Sequence, residues 1–375
     1  MCQRFDSRCV VDGYKITLSY SESESRSRGV TPCKGAGRCE MINTRLDIAS
    51  RMSLYRMRAV KGGLLVVALV VNNFAYAGEA ATTVGPIGGS DARAAVLPPP
   101  GLYGALGGIY VDMTGIYDKN GDEIYPDPVG SSKTLAYSLL YVYPFEVLGG
   151  SVASSISQSY GELCFGVSSS REKCSRGMGD IYSDLFFWSR NLTPESDPFG
   201  VTIGAGLGAV IPVGKYNVDE GKKGVPQRGG NIWDIVPNAA VTLSTKGVLG
   251  GDVTDISARL YYNHYLKNDA TDYASGDLVH LSFAVSELYG KWRLGVAFDT
   301  FYQIEDDGSP DPRVAADISG SDGKRRYGFS SGPLVQKTFM LANRPWSVKA
   351  KVMLGQKAEN NITINSTVLV LSTKI

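Results

Sequence analysis

Two histidines occur in the 375 residues, and one of them, His280, stands two positions before Ser282. A histidine near a serine can serve a hydrolase as base and nucleophile, provided the imidazole reaches the hydroxyl and a third group orients the ring. A second stretch, Gly204-Ala205-Gly206-Leu207-Gly208, has the glycine density of a phosphate-cradling loop, but no helix pattern follows it, and that chemistry needs one. Four of the six cysteines, Cys2, Cys9, Cys33 and Cys39, fall in the first 56 residues. Their spacings lack the two close pairs of a zinc site, and neither histidine lies nearby. The other two, Cys164 and Cys174, sit in the polar segment GELCFGVSSSREKCSRG. In an exported chain such a pair reads as a loop disulfide, with two free thiols as the alternative.

Which reading of His280 holds depends on the elements around it. From Asp277 to Ser286, Val279, Leu281, Phe283 and Val285 alternate with His280, Ser282, Ala284 and Ser286. The same period of two runs from Trp292 to Gln303 and from Trp346 to Gly355, which predicts strands with one apolar and one polar face. His280 and Ser282 then share a face, about 7 Å apart along one strand at 3.2–3.4 Å per residue. Twelve such segments follow one another, near 104–115, 133–146, 151–160, 179–190, 199–212, 232–245, 252–265, 277–288, 291–304, 325–338, 346–356 and 362–373. Short turns such as Tyr289-Gly290 alternate with long polar connections such as Lys215 to Asn231.

That alternation predicts an all-β transmembrane antiparallel up-and-down β-barrel of about 12 strands, with short periplasmic turns and long extracellular loops. A soluble sandwich also alternates, but its strands average five or six residues. Trp188, Trp233, Trp292 and Trp346, near strand ends, suit aromatic girdles at the two membrane interfaces. A formal net charge of +1, with no basic stripe among aromatics, excludes nucleic acid as an expected partner. No cofactor or metal is implied.

The N-terminal region has a different composition. Met57 begins MRAVKGGLLVVALVVNNFAYAGEA, with Arg58 and Lys61 ahead of an apolar run and the small-x-small end Ala75-Tyr76-Ala77. Residues 57–77 read as a cleaved secretory signal peptide, too short in its apolar run to span a membrane. Residues 1–56 then read as an upstream extension from a mis-called start. Removing residues 1–77 leaves a mildly acidic chain. Residues 78–103, rich in Gly, Ala and Pro and ending at Pro98-Pro99-Pro100, have no strand pattern. They are expected to enter the barrel, residues 104–375, from below and fill part of a lumen too wide for side chains alone. A loose tail is the alternative.

If the apolar parity faces lipid, the opposite parity lines the lumen with Asp180, Asp184, Asp234, Arg259, His280, Arg293, Asp299, Lys349 and Lys351. Both signs of charge are present, which favours ion pairs bracing the wall over a selectivity filter of one sign. Gly200, Gly204, Gly206 and Gly208 are expected to leave room inside.

The stretch from Tyr261 to Asp307 also carries Thr271-Asp272-Tyr273-Ala274-Ser275-Gly276-Asp277, Val279-His280-Leu281, a strand through Gly295 and Phe298, and Tyr302-Gln303 with Asp306 and Asp307. With Pro99-Pro100-Gly101-Leu102-Tyr103, Gly179-Asp180-Ile181-Tyr182, Ile211-Pro212-Val213-Gly214-Lys215-Tyr216 and Asn231-Ile232-Trp233, it resembles the outer-membrane family named for the MetA pathway of phenol degradation. The resemblance implies a bacterial outer-membrane channel for small hydrophobic or aromatic compounds, inserted among outer-membrane lipid by the barrel-assembly machinery, with no catalytic residues. One departure is the final Ile375, where such barrels usually end in an aromatic residue. A lipid hydrolase using His280 and Ser282 is the first alternative; outer-membrane phospholipases carry a His-x-Ser pair, but on the lipid-facing side and with an Asn orienting the His. A structural or adhesive surface barrel is the second.

Overall fold

A computed structural model of the chain describes residues 91–375, apart from 126–128, 168–171 and 194–198, and the backbone of two short strands near the N-terminus. Those two, Cys9–Val11 and Tyr14–Ile16, pair antiparallel as a hairpin in a unit of their own, Met1–Gly62. The expected signal peptide at 57–77, and most of residues 1–56 and 78–90, lie outside the described residues.

From Gly101 the chain forms twelve long strands. In order they are β1 (Gly101–Tyr117), β2 (Gly130–Val147), β3 (Gly150–Phe165), β4 (Ile181–Asn191), β5 (Gly200–Ile211) and β6 (Asp234–Lys246). The second half comprises β7 (Val253–Tyr265), β8 (Leu278–Tyr289), β9 (Trp292–Gln303), β10 (Tyr327–Leu341), β11 (Arg344–Glu359) and β12 (Ile362–Lys374). Each pairs antiparallel with its sequence neighbour, and β12 returns to β1 from Ile362↔Ile116 to Lys374↔Tyr103, so the sheet closes on itself. Closure leaves no row of unpaired N–H and C=O groups, the condition for a sheet to sit in hydrocarbon.

Burial alternates along the strands as the sequence pattern requires. In β8, His280, Ser282, Ala284 and Ser286 are buried, while Val279, Leu281, Phe283 and Val285 are not. Around the outside, Leu135 and Leu369 are each 54% exposed, and Leu294 and Val296 remain nearly half exposed. In water such a surface would be an aggregation hazard, whereas in a bilayer it is the lipid-facing wall. Among the described residues no helix is long and apolar enough to cross a membrane; the strands cross.

The twelve long strands are eleven to eighteen residues each, enough to span and to project beyond the hydrocarbon. At one end the connections are tight. Leu148-Gly149 and Ala342-Asn343 both have positive φ at each position, the two-residue geometry that matches the twist of a hairpin. At the other end the connections are long, except the last, where only Asn360 and Asn361 join β11 to β12. The one from β5 to β6 holds α1 (Val218–Lys222), capped by the Asn217 side chain accepting from Glu220 N at 3.0 Å. The one from β9 to β10 holds α2 (Pro312–Gly320), which starts with Pro312 after the cap Asp311 and packs Val314 and Ile318 on Tyr273. The N–H of Arg313 at the Asp311 carboxylate holds that carboxyl below its usual range.

Between β3 and β4 a short strand, Lys173–Met178, pairs back on β3 with Cys174 opposite Cys164, and the two sulfurs are bonded. The girdle tryptophans fall at strand ends, Trp233 at the long-loop end and Trp188, Trp292 and Trp346 at the short-turn end.

Candidate functional site

The inward faces do not form one apolar core. They hold a stack of charged and aromatic groups whose partners come from different strands. At its centre Arg259 on β7 donates from Nη2 to Asp184 Oδ1 on β4 at 2.7 Å, and from Nε and Nη2 to Asn238 Oδ1 on β6 at 3.1 and 2.8 Å. The Tyr182 hydroxyl donates to the same Asp184 oxygen at 2.8 Å. Both ionic side chains are almost fully buried, where a charge is tolerable only when paired and hydrogen-bonded. The guanidinium also lies between two rings, 4.3 Å from the Phe187 centroid and 4.9 Å from that of Tyr261, and Tyr261 stacks on His280 at 5.4 Å. Phe187, Arg259, Tyr261 and His280 thus make a continuous column across three strands.

The glycines of β5 serve this column rather than leaving a void. A Cβ on Gly204 would come within 2.4 Å of the Phe187 ring, and one on Gly208 within 2.9 Å of the Tyr182 hydroxyl. The room expected from Gly204, Gly206 and Gly208 exists, but neighbouring aromatic side chains occupy it.

His280 and Ser282 share the inward face and do not bond to each other. Asp299 on β9 stands between them. Its Oδ1 accepts from Ser282 Oγ at 2.6 Å and lies 3.0 Å from His280 Nε2. A serine whose proton points at a carboxylate is not handing that proton to the histidine, so the pair lacks the nucleophile–base contact of a hydrolase. The sequence singled out no group to orient His280; closure of β9 against β8 supplies Asp299, through the register His280↔Phe301 and Ser282↔Asp299.

Asp299 also reaches Lys351 on β11, at 3.6 Å, and Lys351 leads to the N-terminal segment. Asp91, fully buried, takes Lys351 Nζ at 2.7 Å on Oδ2 and Lys349 Nζ at 3.4 Å on Oδ1. Its neighbours continue along the inner wall. Arg93 N donates to Ser257 Oγ at 2.9 Å, Ala95 N to Thr242 Oγ1 at 3.1 Å, and Ser189 Oγ to Ala95 O at 2.5 Å. Ala95 packs with Phe187 and Ala240. A cavity of about 450 Å³ lies beside this segment, lined by Val96, Leu97, Tyr103, Leu140, Phe187 and Arg259 among others.

The remaining expected lumen residues are placed separately. Arg293 pairs with Asp255 and donates to Ser286 Oγ at 3.0 Å. Asp234 accepts from Asn263 Nδ2 at 2.7 Å. Asp180 precedes β4 and accepts from Gly214 N and Gly230 N, both at 2.7 Å, tying down the two ends of the β5–β6 connection. Sequence reasoning missed Asp255, which shares the parity of Arg259 on β7 and could have been found by it. It also missed Asn238 and Asn263, whose neutral side chains a search for charge passes over, and Asp91, which lies outside any strand pattern.

The fold has a known counterpart. An outer membrane channel from Pseudomonas putida F1 superposes with a TM-score of 0.62 at 15% identity, over 78% of this chain and 100% of that one. Two proteins described as monoaromatic hydrocarbon channels, CymD and a TodX deletion mutant, align at TM-scores of 0.33 and 0.34 with 9% and 10% identity. They cover 74% of this chain each, and 89% and 91% of their own. No curated protein matches the sequence. Residues 115–367 match the family described as "Putative MetA-pathway of phenol degradation", and the chain belongs to that family.

Proposed function

We propose that this chain is an outer-membrane channel for the uptake of small hydrophobic or aromatic compounds. The observation that carries the reading is the lumen itself: a closed wall around a column of Phe187, Arg259, Tyr261 and His280, beside an apolar-lined cavity of about 450 Å³. Such a cavity exceeds the size of a single aromatic ring and offers ring faces for it to stack on. The family's description, phenol degradation, names the same chemistry.

Residues 78–100 act in this reading as a plug that narrows the lumen, the last three of the expected 78–103 segment belonging to β1. Support comes from the part that can be followed, where Asp91 to Ala95 is held by Lys351, Ser257, Thr242 and Ser189. The triple proline before β1 limits how freely it can swing. Export through a signal peptide cleaved after Ala77, and insertion by the barrel-assembly machinery, complete the proposal. Proteoliposomes holding the purified protein are expected to swell in phenol or benzyl alcohol faster than empty vesicles. Equal rates would reject the channel, and hydrolysis of phospholipid by the same preparation would favour an enzyme instead.

A further inference from the structure

One cation near the lumen has no carboxylate partner among the described residues. Arg228 belongs to the β5–β6 connection, and its backbone N–H and that of Gly229 both donate to Lys215 O, at 3.2 and 3.0 Å. Asp180 holds the flanking Gly214 and Gly230. The side chain is therefore aimed by a tied loop. It reaches three hydroxyls on the inward faces of β2 and β3: Nη1 lies 3.4 Å from Ser132 Oγ, and Nη2 lies 3.3 Å from Thr134 Oγ1 and 3.4 Å from Ser159 Oγ.

These contacts are long for N–H···O hydrogen bonds, and Nε is buried without a partner. Among the described residues no carboxylate forms an ion pair with Arg228, and both oxygens of nearby Asp180 are taken by backbone N–H groups. Burial with nothing to offset it pulls the guanidinium below its usual pKa, although arginine stays charged. The contrast with Arg259 and Arg293, each paired to a buried carboxylate, is plain. A partly desolvated guanidinium, held by a tied loop and ringed by neutral hydroxyls, is a site that an anion would complete.

We propose that Arg228, with Thr134 and Ser159, receives the carboxylate of a small aromatic acid inside the barrel. One uncompensated positive charge suits a monoanion. The planar fork offers two parallel N–H groups to a carboxylate, and two hydroxyls can turn to donate as well. The aromatic half of this ligand rests on the channel reading above; the anion site does not.

The test is calorimetric titration of the purified, detergent-solubilised protein with sodium benzoate, benzyl alcohol and inorganic phosphate. Benzoate should bind saturably, and Arg228→Gln should weaken it by about tenfold or more, as expected for loss of a charge-assisted hydrogen bond. Benzyl alcohol should not distinguish wild type from variant. A Thr134→Val/Ser159→Ala variant, which leaves the arginine in place, should weaken benzoate by a smaller factor and guards against misfolding of Arg228→Gln. Benzoate binding that is absent, or indifferent to both variants, overturns the site. Tighter binding of phosphate than of benzoate overturns its assignment to a carboxylate. If benzyl alcohol fails to swell proteoliposomes while benzoate binding still depends on Arg228, the channel falls and the site stands.

Discussion

The carboxylate of Asp91 lies 2.7 Å from the ammonium of Lys351, across 260 positions of sequence, and both groups are buried inside the barrel wall. Lys349 approaches the other carboxylate oxygen at 3.4 Å. Removing Asp91 would take from Lys349 and Lys351 the buried carboxylate they share, leaving Lys351 the longer contact with Asp299 at 3.6 Å, and breaking a buried pair from one side costs about 3–5 kcal/mol. Asp91→Ala is therefore expected to free residues 91–95 from the wall and to raise single-channel conductance in planar bilayers. Asp91→Glu should stay near wild type. Conductance unchanged by Asp91→Ala would mean that the ion pair does not restrain the segment.

A deletion carries the same argument further. Without residues 78–96, the hydroxyls of Ser189, Thr242 and Ser257 lose their backbone partners and rehydrate, which a water-accessible lumen permits at little cost. The barrel is expected to keep its heat-modifiable gel mobility while its conductance rises. A folded barrel with wild-type conductance would exclude a plug.

Gly204 is expected to be intolerant of any side chain. A Cβ there meets the Phe187 ring at 2.4 Å, and overpacking of this kind costs about 1–3 kcal/mol. Gly204→Ala should lower the temperature at which the barrel unfolds in gel-shift assays, and Gly204→Ala/Phe187→Leu should recover much of the loss. Failure of the second substitution to compensate would separate the two residues.

His280 and Ser282 are expected to be catalytically silent. The purified protein and its Ser282→Ala variant should both release no fatty acid from phospholipid micelles. Asp299→Asn, by contrast, should destabilise the barrel, because it weakens the acceptor shared by His280, Ser282 and Lys351.

Thiol titration of the unfolded mature chain should detect Cys164 and Cys174 only after reduction. Closing their short loop contributes about 2–3 kcal/mol in a chain-entropy treatment, so the reduced protein should be cut faster by protease between β3 and β4. Two reactive thiols before reduction would rule the bond out.

How far the sequence reaches differs between wall and interior. Each of the twelve strands is legible because its signal is local: Trp292, Leu294 and Val296 alternate with Arg293, Gly295 and Ala297 whatever the rest of the chain does. Facing direction follows from the same period, so alternation alone assigns Arg259 and His280 to the inside. Partnership does not follow. Arg259 meets Asp184 across 75 positions, a pairing fixed by strand register and by the curvature of the closed wall. The glycines of β5 show the same limit in reverse, since an absent side chain says that space exists and not which neighbour fills it.

The pairing of β12 with β1 bears on how the molecule can come into being. Every other pair joins neighbours in the chain, but this one ties Lys374 to Tyr103 and Ile362 to Ile116. The ring is thus completed by a strand synthesised after the other eleven. Until Ile362–Lys374 is in place, Gly101–Tyr117 and Arg344–Glu359 each present an unsatisfied border. A chain halted one strand short is not a smaller barrel but an open sheet with two adhesive margins, so a late truncation costs the cell the whole molecule rather than a twelfth of it.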